Sequence, residues 1–455
     1  MAAPLTDTSL ETEPERLPRS THIGYGLGAI ATGAYGTAPS LLLLFFMTDT
    51  LGIAPAMAAA GLFVAKAWDI GIDPLIGALS DRTRTRWGRR RPFMLAGAVV
   101  LGGTLSMLFW VPAFATPSAR FWWVLVMFVI TSTAFSMYSV PYIAMPAEMT
   151  TSYHERTRMM SYRMAFMSAG VLVAGGVAPL VRDLAGGGRT GYAAMSVALA
   201  AFCCTFMLAS IFATRRVRFT ERANSELPIR EQLALAFSNK PLVTLIVIFL
   251  LQMAGVGGLI ALLPYFVSYI LVQPGSVFTL GFVVLTVASI LAMPVWVRLA
   301  RQRGKAGPFA LALLIFAAMN LAMGMLGADV PLVAFYTLTA VMGVGFAGTQ
   351  LFPFAMLPDA IDHDLERSGL RREGAVSGVW IATEGVGMAF GGLLAGGILD
   401  VFGFVESTAG QAAQPPGALL GIRVGFSVLP AAMILAALVV LKTSRSYART
   451  RPRQS

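Results

Sequence analysis

The chain has 455 residues, of which 56% are hydrophobic and only 13% charged, with a net charge of +11. A water-soluble domain carries about a quarter charged residues, so the composition excludes a soluble enzyme and points to a polytopic membrane protein. The positive charge belongs to short loops, where it sets orientation and implies no nucleic-acid partner. The two cysteines, Cys203 and Cys204, are adjacent inside an apolar run, which excludes a disulfide framework.

Twelve membrane-crossing helices are expected at 22–47, 54–79, 92–114, 120–144, 159–181, 191–213, 241–270, 276–297, 308–327, 331–355, 374–399 and 417–442. Each segment is about 20 residues or longer, the length that crosses the hydrocarbon core. The polar start at 1–21 has no basic and apolar signal pattern, so the first apolar segment is expected to stay as a helix. The domain plan is then a tail at 1–21, a bundle over 22–213, a linker at 214–240, a bundle over 241–442 and a basic tail at 443–455. Of the 34 lysines and arginines, 28 fall in the tails and the even-numbered loops. Four, Arg120, Arg182, Arg189 and Arg423, fall on the other side. This asymmetry places both termini in the cytoplasm. A weak half-chain repeat, Pro74 with Pro294 and Pro146 with Pro358, fits two pseudo-symmetric six-helix bundles with substrate bound between them.

The first helix is rich in glycine and alanine and carries Tyr25, Thr32 and Tyr35 as candidate cavity residues. The second carries the chain's densest intramembrane charge: Lys66, Asp69 and Asp73, beside Trp68. At 100° per residue these three charges share an arc of roughly 60°. Charges at membrane depth are costly and read by default as an ion or substrate site. A helix-locking Lys–Asp pair needs one carboxylate, and two are present. Two carboxylates suit a hard cation such as Na⁺, or a proton. Gly71 and Gly77 bracket Pro74, where a bend would aim both side chains. The helix runs into a basic turn with Asp81, Arg82, Arg86, Arg89, Arg90 and Arg91.

Further along, Ser139 and Tyr142 end the fourth helix, and Arg163 sits a turn into the fifth. The stretch 357–374 alternates acid and base through Asp359, Asp362, Arg371, Arg372 and Glu373. It is read as a loop whose charges pair with the Arg84–Arg91 turn and close a cytoplasmic gate. Exposed pairs of this kind contribute only about 0–1 kcal/mol each. His363 lies in this stretch and has no relay role. The eleventh helix carries Trp380 and Glu384, an acid that needs a partner at that depth; Lys66 from the facing half is the expected one.

The run from Asp69 to Phe93, D-x-x-x-D-P-x-x-G-x-x-x-D-R-T-x-T-x-W-G-R-R-R-P-F, resembles the glycoside–pentoside–hexuronide:cation symporter family. That is the melibiose-permease branch of the major facilitator superfamily. The stretch from Asp359 to Gly374 resembles the family's second signature. The resemblance implies the major facilitator fold, alternating access in the cell (inner or plasma) membrane, and a coupling cation held by residues matching Asp69 and Asp73. It implies no other cofactor. It also implies a small-molecule substrate, a lipid-embedded monomer and no enzymatic activity. Three positions depart from the pattern. Thr32 and Gly33 stand where a Lys–Asp pair is expected, Ser139 where a second sugar-binding acid is, and Gly385 where a lysine is. The expected function is cation-coupled transport of a sugar or glycoside, with Na⁺ or H⁺ as the coupling ion. The alternatives are transport of a lysophospholipid or other amphiphile, and proton-driven export.

Overall fold

The structure is a computed structural model that describes residues 17–150, 152–215, 240–368, 373–408, 410 and 412–444. At 147, 153, 154, 157, 358, 359, 361–368 and 373–378 it describes the backbone alone. Among the described residues there are helices and no strand. This is what a bilayer demands, since each helix satisfies its own backbone groups internally.

The N-terminal half contains α1 (Arg19–Asp49), α2 (Pro55–Arg82), α3 (Arg91–Phe109), α4 (Pro117–Met149), α5 and α6 (Gly188–Ala213). Helix α5 runs Tyr153–Leu172, passes a π turn at Val173–Val177 and continues through Ala178–Leu184. The C-terminal half contains α7 (Lys240–Tyr265, with a π turn at Phe266–Ile270), α8 (Gly275–Arg303), α9 (Ala306–Met323), α10 (Leu332–Ser368), α11 (Glu373–Val401) and α12. Helix α12 runs Pro416–Arg423, through a π turn at Val424–Val428, to Leu429–Thr443. Eleven of these passes are long and apolar enough to cross a membrane. The twelfth is α2, 28 residues long with Lys66, Asp69 and Asp73 inside it. The expected helices all form. The loop expected at 357–374 is helical over its first part, where α10 continues without a break to Ser368; 369–372 lie outside the described residues. The acidic and basic residues of that first part keep a helical backbone after the apolar run ends, because Asp, Glu and Arg remain compatible with a helix when solvated.

Neighbour relations repeat between the halves. In the first, α1 packs on α5 and α6, α3 on α4 and α6, and α2 on α4. In the second, α7 packs on α11 and α12, α9 on α10 and α12, and α8 on α10. Adding six to each label in the first set gives the second, so the two bundles are pseudo-symmetric. Across the halves, α2 meets α11, its symmetry mate α8 meets α5, and α1 meets α7.

Lipid offers no hydrophobic drive between helices, so close backbone approach at small residues does the packing. A Cβ on Gly33 would press on the Met167 carbonyl, and one on Gly170 on the Ile30 carbonyl, locking α1 to α5. The same device recurs where Gly257 meets the Met388 carbonyl and Gly391 the Ala254 carbonyl, locking α7 to α11. The half-chain repeat is therefore written in glycines at matching helix crossings.

The start of α1, the end of α12 and the basic turn between α2 and α3 share one face, called here the terminal face. On the opposite face the two halves are sealed together. The Thr48 and Tyr265 hydroxyls are 2.6 Å apart, and the Tyr269 hydroxyl donates to Asp49. The Ser407 amide donates to the Thr48 carbonyl at 2.9 Å, and the Thr279 hydroxyl to the Gly176 carbonyl at 3.2 Å. Gly396 of α11 lies against Ala59 and the Pro55 carbonyl of α2, and Gly275 of α8 against Asp183 of α5.

Candidate functional site

Between the halves lies a cavity enclosing about 680 Å³ of empty space, mouth included. Gly36, Pro39 and Ser40 of α1, with Lys66 of α2 and Phe128 of α4, line one side. Gly257 and Ala261 of α7, with Gly385, Met388 and Gly392 of α11, line the other. The seal closes it on the opposite face. Glycines line it because no side chain fills the space beside them; Gly36, Gly385 and Gly392 have nothing within 4 Å of a notional Cβ.

Among the described residues, Lys66 is the one charged group on this wall. Its Nζ is 3.3 Å from Asp69 Oδ2, an i,i+3 pair in which the two side chains are 26% and 21% exposed. The Ser132 hydroxyl of α4 donates to the other oxygen, Asp69 Oδ1, at 2.5 Å. Both carboxylate oxygens are therefore engaged. One turn further toward the terminal face, Asp73 Oδ1 is buried with no hydrogen-bond partner, and Ser136 of α4 faces this carboxyl. The unpartnered oxygen is the expensive feature, since a buried carboxylate costs free energy unless something answers it. Two carboxylates, two hydroxyls and an ammonium thus meet where α2 packs on α4. Oxygen donors of this kind fit a monovalent hard cation. Among the described residues no group of three His, Cys, Asp or Glu is placed to hold a metal ion.

The expected cavity residues take several positions. Tyr25, Tyr35, Tyr142 and Trp380 are buried to 2% exposure or less. They pack inside their own halves: Tyr25 stacks on Tyr142 with ring centroids 4.6 Å apart, and Trp380 stacks on Phe249 at 4.1 Å. Ser139 is buried, and Thr32 spends its hydroxyl on the Ala29 carbonyl. Trp68 is 48% exposed and donates to Thr133 at 3.0 Å. Arg163 and Glu384 are half-buried, and Arg163 Nε is buried without a partner. The expected pairing of Lys66 with Glu384 does not form. Asp69 is three residues away on the same helix and captures the ammonium first. Glu384 instead feels the charge of Arg163 from α5.

At the terminal face, Arg89 Nη2 is 2.7 Å from Glu148 Oε1. Arg90 reaches the same oxygen through Nε at 2.7 Å and through Nη2, and also reaches Asp81 at 3.1 Å. Arg91 donates to the Thr214 carbonyl at 2.9 Å. Arg82, Arg84 and Arg86 are exposed. The gate partners expected at Asp359, Asp362, Arg371, Arg372 and Glu373 lie outside the described residues and side chains. Glu148, not expected as a partner, is the centre of this cluster. Its signal in the sequence is an acid at the end of a long apolar helix.

The family described as MFS/sugar transport protein matches residues 24–444. The putative glycoside/cation symporter YagG of Escherichia coli (strain K12) is 27% identical, over 94% of this chain and 92% of its own. The isoprimeverose transporter of Lactiplantibacillus pentosus is 27% identical, over 92% and 87%. Among solved structures, a bacterial homologue of the human lysosomal transporter Spinster superposes with a TM-score of 0.67 at 12% identity, over 96% of this chain and 98% of its own. That likeness shows the major facilitator fold. Twelve long helices in two matching bundles, a cavity between them, and a family match across nearly the whole chain agree: this is a multi-pass membrane transport protein belonging to the MFS/sugar transport protein family.

Proposed function

We propose that the protein is a cation-coupled secondary transporter that carries a sugar or glycoside across the cell membrane by alternating access. The observation that carries this is the pair Asp69 and Asp73, one turn apart on α2, with Asp69 bonded to Lys66 of the cavity wall and Asp73 Oδ1 unpartnered. The two named relatives, described as a glycoside/cation symporter and an isoprimeverose transporter, support the substrate class. The positive-inside asymmetry makes the terminal face cytoplasmic, so the seal is on the outer side. The cation, Na⁺ or H⁺, is cargo as much as the sugar is.

Coupling follows from charge. Moving an unneutralised carboxylate past the low-dielectric seal is penalised. The loaded site therefore crosses between conformations more readily than a half-loaded one, and unequal affinity for the two conformations drives the exchange. One chain supplies both halves of the cavity, so a monomer is the transporting unit.

A second reading has one observation behind it. Apart from Lys66 and Ser40, the cavity wall is apolar. This favours a glycoside with an apolar aglycone, or an amphiphile such as a lysophospholipid.

The test is uptake into proteoliposomes under an imposed Na⁺ or H⁺ gradient, with a panel of glycosides and lysolipids. Wild type should accumulate one class against its gradient, and Asp69→Asn and Asp73→Asn should each lose accumulation. If both variants accumulate substrate as wild type does, the carboxylates are structural and the reading falls. Export of substrate driven by an inward proton gradient would reverse the direction.

A further inference from the structure

Lys66 occupies two sites at once. Its ammonium is bonded to Asp69 Oδ2, while its side chain forms part of the cavity wall. Each Asp69 oxygen already has a partner in this state, Lys66 at Oδ2 and Ser132 at Oδ1, so a cation approaching Asp69 meets the ammonium first. Asp73 Oδ1 is buried without a hydrogen-bond partner. The ammonium is also 6.0 Å from the Tyr35 ring centroid and 5.8 Å from that of Phe128. Those rings are at the outer reach of a cation–π contact, and Phe128 itself lines the cavity. An ammonium released from Asp69 therefore has the cavity, with Phe128 on its wall, directly beside it.

We propose that Lys66 is a tethered competitor for a sodium-class coupling cation. It neutralises Asp69 while the site is empty of cation. The arriving cation takes Asp69 and Asp73 together and displaces the ammonium into the cavity. There its three N–H donors meet the hydroxyls of the sugar. Cation and substrate thus bind in order, the first exposing a donor for the second. A substrate that holds the displaced ammonium also stops it returning to Asp69, which tightens cation binding reciprocally. This inference rests on the reading of Asp69 and Asp73 as the cation ligands.

A competitor that occupies Asp69 most of the time weakens apparent cation affinity by the fraction of time the site is free. With a free state populated to about 10% or less, removing the ammonium tightens apparent affinity about tenfold or more. The experiment is a thermal-stability titration of the purified full-length protein with NaCl against choline chloride, at constant pH and ionic strength. Lys66→Met and Lys66→Gln should each lower the half-saturating Na⁺ concentration about tenfold or more. Lys66→Arg, which keeps the tethered charge, should stay near wild type, and Asp73→Asn should lose the Na⁺ response. In vesicles, Na⁺ entry without sugar should be slow in wild type and fast in Lys66→Met. Two uncharged variants are used so that a folding failure of one leaves the other to decide. Equal half-saturation in wild type and the uncharged variants, with the response lost in Asp73→Asn, overturns the competition and leaves the carboxylate reading standing. A Na⁺ response that survives Asp69→Asn and Asp73→Asn overturns both. A wild type stabilised by no Na⁺ concentration overturns the inference, while proton-driven uptake would keep the transport reading.

Discussion

The two faces of the molecule are held by different chemistry. On the opposite face the bonds cross between halves and are mostly uncharged: Thr48 to Tyr265, Ser407 to Thr48, Thr279 to Gly176. Alongside them glycines admit the partner helix to backbone contact, as Gly396 does at Pro55. Among the described residues of the terminal face the ion pairs stay inside one half, with Arg89 and Arg90 on Glu148 and Asp81 on Arg90. A contact that must open in every transport cycle is better made of modest hydrogen bonds, each contributing about 0.5–1.5 kcal/mol. A contact that holds a moving half together can be ionic and buried, because it never opens. The difference teaches which surfaces slide and which travel as a block.

The contrast can be broken most forcefully at Glu148. It is 5% exposed and Arg90 is 7% exposed. Glu148→Ala leaves a buried guanidinium short of its main counter-charge and should destabilise the N-terminal half by about 3–5 kcal/mol. Thermal unfolding in detergent would register this as a large loss of melting temperature, with Glu148→Gln intermediate. A melting temperature unchanged by Glu148→Ala would mean that the cluster is a solvated face.

Next in size is Gly396→Val. Its Cβ would collide with Ala59 and come within 2.8 Å of the Pro55 carbonyl, a strain of about 1–3 kcal/mol confined to the sealed state. The molecule should shift toward opening on the opposite face, read as faster labelling of a cysteine introduced at Ser40 by a membrane-impermeant reagent supplied from that face only. Gly397→Ala, with nothing within 4 Å, is the control and should label like wild type. Equal labelling of all three would remove Gly396 from the seal.

The smallest expected effect is at the hydroxyls. Tyr265→Phe removes the contact with Thr48 and should weaken the seal by about 0.5–1.5 kcal/mol. The expected result is a several-fold change in transport rate with substrate affinity nearly unchanged. A change confined to affinity would move Tyr265 from the seal to the cavity.

Much of this was legible in the sequence, because membrane helices announce themselves by length and a charge inside one is conspicuous. All twelve helices and the Lys66, Asp69 and Asp73 group were readable on those grounds. Even the Lys66–Asp69 pair was implicit in the i,i+3 spacing, although Glu384 was expected to hold the lysine. Three things were not legible. Helix α10 outruns its apolar stretch to Ser368, because hydropathy marks the membrane and not the end of the helix. The aromatic residues, which suggest stacking on sugars, turned inward: Tyr25 and Tyr142 stack on one another. The cavity wall of Gly257, Gly385 and Gly392 carries no chemistry to notice, since glycine signals space only once the neighbouring helix is placed.

Gly33 has a consequence for how this binding site could change over generations. The Met167 carbonyl lies where its Cβ would go, so an acid cannot arise at position 33 by a single step. It would need a simultaneous recess in α5, and either change alone would push α1 and α5 apart. Position 384 already carries its acid on the other half. Change is therefore easier on α11 and α4 than at position 33, where the close contact of α1 with α5 leaves no room for a side chain.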